Sequence, residues 1–272
     1  MNSTNSFSPR RGHTVRLVLL AATSGLALTA CGGADDTPAR ATTAAVPGDQ
    51  SSAGGEKKGT RPDRLLWMGD SIGEAQAPAL GAAMTAGGIT FKSVAAAGGG
   101  GVVGETAAPT WEELPGELAA FKPDVVAYQI TTFDWGTPQE QRAAYERLTK
   151  TVNDAGAELV IVSVPPFKID DFYKPHAAAI DTAPKSAESV AEQHPDTVHF
   201  LDASTLWGTD STAAEAQRSE DGIHSCQQGS AAFAQWFGKK LDTLYPFTPA
   251  AAGQWATGAW TADKVYGKFG CS

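Results

Sequence analysis

Short apolar runs alternate along this chain with longer helical patterns, and that alternation constrains the fold more than any other feature. The run at 158–164 is almost continuously β-branched, as expected for a strand buried on both faces. Similar runs lie at 64–68, 90–95, 124–130 and 198–201, and helical patterns lie at 74–86, 111–121, 138–155, 175–193 and 228–241. Such alternation predicts an α/β domain with a parallel, doubly wound sheet.

A second feature is the tripeptide Gly69-Asp70-Ser71, which directly follows the first apolar run. A strand that ends here and turns into a helix places the serine hydroxyl at the carboxyl edge of the sheet, where open α/β sheets bind ligands. Ser71 then also lies at a helix N-terminus, whose unpaired N–H groups and dipole favour negative charge. Because attack of a hydroxyl on an ester creates an oxyanion, this environment suits a nucleophile.

The segment Asp221-Gly222-Ile223-His224 carries a carboxylate and an imidazole three residues apart. An aspartate at this spacing can accept a hydrogen bond from the imidazole and leave the second ring nitrogen facing Ser71. The alternative interpretation is a solvated turn, and it is the distant Gly-Asp-Ser motif that favours catalysis. Together these side chains provide a nucleophile, a base and an orienting acid for acyl transfer.

The two motifs resemble those of the SGNH/GDSL hydrolase superfamily, over roughly the last three quarters of the chain. The resemblance implies a three-layer α/β/α domain over residues 62–272, with a five-stranded parallel sheet in flavodoxin-like order. It implies that Ser71 is the nucleophile, His224 its base and Asp221 the orienting acid. Asp70 is expected to shape the turn and cap the helix rather than to take part in catalysis.

The resemblance also implies where an oxyanion hole is built. One donor is the backbone N–H of Ser71, and a second is a glycine N–H in the loop after the second strand. Four consecutive glycines, Gly98–Gly101, occupy that place, and we assign the donor to Gly99 or Gly100. Glycine suits this position because it permits close backbone approach and positive φ.

The loop after the third strand departs from the family pattern. The family places an asparagine donor there, and the matching position here is Phe133, which has no donor on its side chain. A hydroxyl of Thr131 or Thr132, or a backbone N–H of this loop, is the expected substitute, since loss of one oxyanion donor typically costs about 10²–10³ in rate. The loop is similar to that of SGNH domains attached to actinobacterial membrane acyltransferases, which implies that Asp134 and Trp135 line the substrate site. The alternative is that both cap and pack against the next helix.

The N-terminal residues predict export. Residues 1–30 have a basic start and an apolar segment at 17–30, which is typical of a signal peptide. Leu28-Thr29-Ala30-Cys31 resembles a bacterial lipobox, whose cysteine is lipidated; an ordinary secretory signal is the alternative. Residues 31–61, rich in small and polar side chains, predict a disordered tether. We expect a lipoprotein on the outer face of the cytoplasmic membrane, held by its lipid at Cys31, or a secreted protein.

Three cysteines occur in the chain. If Cys31 carries a lipid, Cys226 and Cys271 remain, and an exported compartment favours a disulfide between them. That bond would pin the C-terminal tail, residues 245–272, beneath His224. The tail has no clear period, and its aromatic residues are expected to pack on the domain rather than to bind sugars.

The charge of the chain limits its partners. The formal net charge of −9 becomes about −12 once the signal's three arginines are removed. An acidic domain is a poor partner for nucleic acid, which requires lysine and arginine. Asp170-Asp171 lacks a surrounding cluster of metal ligands, and the glycine run lacks the lysine of a phosphate-binding loop, so we expect neither metal nor organic cofactor.

Three functions fit these observations. The first is a serine esterase that removes small acyl groups, acetyl foremost, from a cell-envelope glycan or lipid. The second is an O-acyltransferase, in which a sugar hydroxyl replaces water in the same Ser71-His224-Asp221 mechanism. The third is a non-catalytic lipoprotein that binds the cell wall on an SGNH scaffold, an interpretation favoured by the missing asparagine and the aromatic tail.

Overall fold

The computed structural model describes residues 59–271, which form one parallel sheet flanked by helices. The strands are β1 (Arg64–Met68), β2 (Thr90–Ser93), β3 (Val125–Gln129), β4 (Glu158–Val162) and β5 (Val198–Leu201). The helices are α1 (Ser71–Ala86), α2 (Ala108–Phe121), α3 (Pro138–Asp154), α4 (Ala177–Gln193), α5 (Ser204–Trp207), α6 (Gln227–Leu244) and α7 (Lys264–Lys268). The predicted signal peptide, Cys31 and the tether up to residue 58 lie outside the described residues.

The sheet has the strand order β2-β1-β3-β4-β5, and every neighbouring pair is parallel. The chain runs from β1 outward to β2 and then crosses to β3 on the other side of β1. The carboxyl end of β1 therefore lies at the point where the strand order reverses, which is where sheets of this kind form a ligand crevice. The predicted five-stranded, flavodoxin-like sheet is confirmed.

Helices cover both faces of the sheet, which gives the three layers that the resemblance implied. Along β1, Leu65 and Trp67 pack on the face covered by α1 and α6, whereas Leu66 and Met68 pack on the face covered by α2, α3 and α4. All four side chains are at most 2% exposed. Burial of a side chain of this size stabilises a fold by about 1.5–3 kcal/mol, so β1 is firmly fixed within the core.

All the predicted strands and helices are present, several of them with shifted ends. Helix α1 begins at Ser71, three residues before the predicted start at 74, because the Asp70 side chain accepts the Ile72 N–H and caps the helix. Two short helices, α5 and α7, were not predicted, since four or five residues carry too little periodicity. Among the helices of residues 59–271, none combines the length and the apolar character needed to cross a bilayer.

The C-terminal tail packs on the domain, as expected. Trp255 belongs to the core on the α1 and α6 face, and Val265 and Tyr266 of α7 are also buried. A disulfide joins Cys226, the residue before α6, to Cys271. The predicted bond between these cysteines is thus confirmed.

Candidate active site

The side chain of Asp70 fixes the turn between β1 and α1 by hydrogen bonds. Its Oδ1 accepts the Ile72 N–H at 2.9 Å, and its Oδ2 accepts both the N–H and the hydroxyl of Thr132, at 2.7 and 2.8 Å. The side chain is only 1% exposed, and burial raises the pKa of Asp70 although these hydrogen bonds oppose that shift. Asp70 therefore connects the start of α1 to the loop after β3, which is the structural role expected for it.

The structure brings Ser71, His224 and Asp221 together, although 153 positions separate the serine from the histidine. The distance from His224 Nε2 to Ser71 Oγ is 2.8 Å, and that from His224 Nδ1 to Asp221 Oδ2 is 2.6 Å. Because a carboxylate accepts at Nδ1, the neutral imidazole carries its proton there, and Nε2 accepts the hydrogen bond of the serine hydroxyl. The arrangement can draw a proton from Ser71.

Asp221 is held by its own short turn. Its Oδ1 accepts hydrogen bonds from the Ser219 hydroxyl at 2.6 Å and from the backbone N–H groups of Ile223 and His224, at 2.7 and 2.9 Å. Burial alone would raise the pKa of Asp221, but these bonds and the one from the imidazole outweigh it and lower the pKa to about 2. The carboxylate thus stays ionised at neutral pH and can stabilise a positive charge on His224.

The loop that contains Gly98–Gly101, called the glycine loop below, touches the turn that carries Ser71. Gly100 has a φ of +79°, and a Cβ there would lie only 2.0 Å from the carbonyl oxygen of Gly69. The Gly99 N–H donates to Ala96 within the loop at 3.3 Å, whereas among residues 59–271 no acceptor is bound by the Gly100 N–H. The Ser71 N–H is in the first turn of α1, where no intrahelical partner exists. Of the two glycines assigned above, Gly100 is therefore the better candidate for the oxyanion donor.

The expected donor in the loop after β3 is not available. Both donors of Thr132 bind Asp70, so the assignment of Thr132 to the oxyanion hole is wrong. The N–H of Phe133 donates to the Thr131 hydroxyl, and the N–H groups of the next two residues donate to carbonyls within the loop. The Thr131 hydroxyl itself donates to Asp134 at 3.0 Å. Both threonine hydroxyls and the N–H groups of residues 132–135 are therefore occupied, whereas the indole N–H of Trp135 has no partner among the described residues.

Asp134 does not line the substrate site, contrary to the sequence-based expectation. Its side chain is 1% exposed and accepts hydrogen bonds from the Thr131 hydroxyl and, at 3.1 Å, from the Val102 N–H. The hydroxyls of Tyr128 and Tyr145 donate to its other oxygen, at 2.6 and 3.0 Å. Burial raises the pKa of Asp134 despite these four donors. Through these hydrogen bonds the buried carboxylate of Asp134 connects β3, α3 and Val102, the residue that follows the glycine loop.

Trp135, the other residue expected to line the substrate site, belongs to an aromatic cluster at the same edge of the sheet. Its ring stacks on His176 with centroids 3.5 Å apart and lies 5.5 Å from Phe133 and 5.7 Å from Phe172. Phe172 is 57% exposed. Neither Asp134 nor Trp135 caps α3, since Thr137 is the N-cap and forms a capping box with Glu140. Trp135 remains a candidate for substrate contact.

Two cavities adjoin the site, and neither was predicted. One of about 730 Å³ lies beyond the carboxyl ends of β4 and β5, and its walls include Val164, Phe167 and Ile180. These three side chains pack in one cluster with Ile72 and Ile223, the chain neighbours of Ser71 and His224. Ser71 and His224 do not themselves line this cavity. A second cavity, of about 310 Å³, lies against Gly69 and the glycine loop.

The two aspartates that follow β4, Asp170 and Asp171, bind groups of neighbouring residues. Asp170 accepts hydrogen bonds from the N–H groups of Phe172 and Tyr173, and Asp171 forms a 2.6 Å ion pair with Lys174. Over residues 59–271, no group of three or more histidine, cysteine or acidic side chains is arranged to hold a metal ion.

Comparison with known proteins identifies the fold of the chain. No protein-family model matches the sequence, and no curated relative matches it. Among solved structures, a carbohydrate esterase of family 3 from Talaromyces cellulolyticus matches with a TM-score of 0.53 and 18% identity, covering 66% of this chain and 97% of that one. A serine-to-alanine mutant of an acetyl esterase, solved with acetate ion, matches with a TM-score of 0.52 and 16% identity over the same shares.

A protein assigned to the G-D-S-L lipolytic family, from Desulfitobacterium hafniense, matches with a TM-score of 0.51 and 13% identity, covering 64% of this chain and 97% of that one. These matches agree with the three-layer architecture and with the meeting of Ser71, His224 and Asp221 at the carboxyl edge of the sheet. The chain has the fold of the SGNH/GDSL hydrolase superfamily.

Proposed function

We propose that the protein is a serine esterase that removes small acyl groups, acetyl foremost, from the oxygen atoms of a cell-envelope glycan or lipid. The observation that carries this proposal is the relay from Asp221 through His224 to Ser71, with contacts of 2.6 and 2.8 Å at a helix N-terminus. The fold of the solved acetyl esterase and carbohydrate esterase supports the same class of reaction.

In the proposed mechanism His224 acts first as a base and then as an acid. Nε2 takes the proton of Ser71 as Oγ attacks the acyl carbon, and the N–H groups of Ser71 and Gly100 face the oxyanion that forms. Asp221 stabilises the imidazolium. The imidazolium then protonates the departing alcohol, which leaves an acyl-serine. Water, deprotonated by His224, attacks this ester and releases the carboxylic acid and the regenerated serine.

O-acyl transfer is a second candidate, because a cavity large enough for more than water lies next to the site. The 730 Å³ cavity and the exposed Phe172 ring lie at the same edge of the sheet as the nucleophile. A sugar hydroxyl held there would attack the acyl-serine in place of water and give a new ester. Analysis of the products with and without an added acceptor glycan separates the two reactions.

The test of the esterase proposal is the hydrolysis of a chromogenic acetate ester together with labelling by a fluorophosphonate, which reacts with activated serines. We expect Ser71→Ala to abolish both signals, while Ser189→Ala, a matched change on α4 away from the site, preserves them. Wild-type protein that binds envelope glycan but neither hydrolyses esters nor reacts with the probe would instead support the non-catalytic, wall-binding alternative.

We also propose that the protein is exported and anchored by a lipid on Cys31, on the strength of the lipobox-like Leu28-Thr29-Ala30-Cys31. Cys31→Ser should release the protein from the membrane fraction. A variant that stays membrane-bound would contradict the anchor without affecting the esterase proposal.

A further inference from the structure

The imidazole of His224 is covered on one face by the C-terminal tail. The Phe269 ring stacks on it with centroids 3.7 Å apart and planes inclined by only 10°. The two ring nitrogens are bound at the edges, by Asp221 and Ser71. The imidazole is thus restrained at both edges and on one face, and among residues 59–271 Phe269 is the ring that stacks on that face.

The tail that carries Phe269 is attached to the domain on both sides of this ring. After it, Cys271 is bonded to Cys226, which lies two residues beyond the catalytic histidine. Before it, Lys268 forms a 2.6 Å ion pair with Glu74 of α1, and Val265 is buried. The disulfide therefore joins the segment that carries the base to the segment that carries the stacking ring.

The backbone of the loop that holds His224 has restraints of its own, since the Lys168 N–H donates to the Gly222 carbonyl at 2.8 Å and the Arg218 guanidinium donates to the Ile223 carbonyl at 3.0 Å. One isolated bridge joins Arg218 to Ser225, and the Ser219 N–H donates to the His224 carbonyl at 2.7 Å. These bonds fix the backbone, but they do not fix the rotation of the imidazole about its side-chain bonds. That rotation matters, because a misplacement of about 1 Å at a reacting group can cost about 10²-fold in rate.

We propose that Phe269 is a positioning residue for His224, and that the Cys226–Cys271 disulfide makes this positioning sensitive to thiol reduction. The proposal rests on the esterase function proposed above. Stacking keeps the imidazole in the rotamer that reaches Ser71, and an aromatic face also favours the imidazolium formed when Ser71 loses its proton. A dithiol reductant transfers two electrons and two protons to the disulfide, gives two cysteine thiols and is itself oxidised to a cyclic disulfide. After reduction, only non-covalent contacts hold the segment around Phe269 against the domain.

The first test compares Phe269→Ala, Phe269→Leu and Phe269→Tyr in the full chain. We expect Phe269→Ala to lower kcat about 10- to 100-fold with little change in KM, Phe269→Leu to recover little, and the flat ring of Phe269→Tyr to recover most of the loss. Trp260→Ala removes an aromatic ring from the same tail and should change kcat less than twofold. Equal losses in Phe269→Ala and Trp260→Ala would overturn the proposal, since general loosening of the tail would then explain both.

The second test follows the imidazole itself by ¹⁵N NMR of labelled histidine, which needs no turnover. Wild-type protein should show one tautomer with the proton on Nδ1, and Phe269→Ala should show averaged signals. Unchanged signals and kcat in Phe269→Ala would refute the positioning role. Inactive wild-type protein whose His224 signals nevertheless change in this variant would refute the esterase proposal alone.

The third test reduces the disulfide. Treatment with dithiothreitol, verified by a gain of two thiols, should lower kcat reversibly to about the level of Phe269→Ala, and Cys226→Ser with Cys271→Ser should match it. Full activity in the verified reduced protein would remove the redox part of the proposal and leave the stacking part to the first two tests.

Discussion

The two halves of the proposed catalytic relay are held in opposite ways. Ser71 lies at the end of the buried strand β1, above Asp70, which is 1% exposed and bonded to the loop after β3. His224 lies on a short surface turn whose acid, Asp221, has a side chain 35% exposed. Ser71 is held by the core of the fold, whereas His224 is held by a local turn and contacted by a tail from the end of the chain.

The carboxylates of the two halves show the same contrast. Burial raises the pKa of Asp70 and of Asp134 on the nucleophile side. On the histidine side, hydrogen bonds overcome burial and lower the pKa of Asp221 to about 2. We therefore expect changes on the nucleophile side to affect stability and activity together, and changes on the histidine side to affect mainly activity.

The largest effect is expected for Asp134→Ala. The change leaves four buried donors without an acceptor, among them the Val102 N–H next to the glycine loop and the hydroxyls of Tyr128 and Tyr145. Loss of a buried, fully hydrogen-bonded carboxylate should cost about 3–5 kcal/mol of unfolding free energy, which denaturant titration measures.

Asp134→Asn is the matched control, because it keeps the size of the side chain and one carbonyl acceptor. We expect it to cost less than the alanine variant, about 1–3 kcal/mol. Equal stability of Asp134→Ala and wild type would contradict the contrast between the two halves, since the nucleophile side would then not depend on its buried network.

A smaller effect is expected at the glycine loop. Gly100→Ala adds a Cβ that would lie 2.0 Å from the Gly69 carbonyl oxygen, at a φ of +79° that alanine rarely adopts. The loop must then move away from the turn, so kcat/KM should fall about 10²-fold, as for loss of one oxyanion donor.

Gly99→Ala sharpens this experiment, because a Cβ at Gly99 meets no atom within 4 Å and Gly99 does not have a positive φ. Its kcat/KM should stay within a few fold of wild type. A larger loss in Gly99→Ala than in Gly100→Ala would assign the oxyanion donor to Gly99 after all.

The fold and the relay could be predicted because their signals are local. Continuous apolar runs define the strands, and Ser71, Asp221 and His224 occur in short motifs with fixed spacing. The strand-to-helix turn then dictates where the nucleophile lies. The meeting of the two motifs follows from the topology, because the segments that follow parallel strands gather at one edge of the sheet.

Asp134 and Phe269 could not be assigned in this way, because their partners come from distant segments. The carboxylate of Asp134 is surrounded by groups from β3, from α3 and from the residue after the glycine loop, and no spacing in the sequence reveals this enclosure. Phe269 lies in a tail without periodicity. The disulfide between Cys226 and Cys271 was predictable, but the face of the histidine that the tail covers was not.

The smallest expected effect is a difference in acid stability. The pKa of Asp221 falls from an ordinary 3.8 to about 2 on folding, so its contribution is complete above about pH 4 and is lost as the pH falls to about 2. For Asp70 and Asp134 the sign is opposite, because a raised pKa means that the folded state holds protons more tightly, and stability falls as the pH rises from the ordinary value to the raised one.

Urea unfolding of wild type and Asp221→Asn between pH 2 and 6 isolates the Asp221 contribution as the difference between the two curves. Because solvent screens a carboxylate whose side chain is 35% exposed, we expect this difference to change by only about 1 kcal/mol, between pH 4 and 2. The same measurement on Asp134→Asn should give a difference in unfolding free energy from wild type that changes with pH in the opposite direction, and at higher pH. Slopes of the same sign in both variants would show that the two halves of the relay do not differ in their electrostatics, and the contrast between a core-held nucleophile and a turn-held base would then rest on geometry alone.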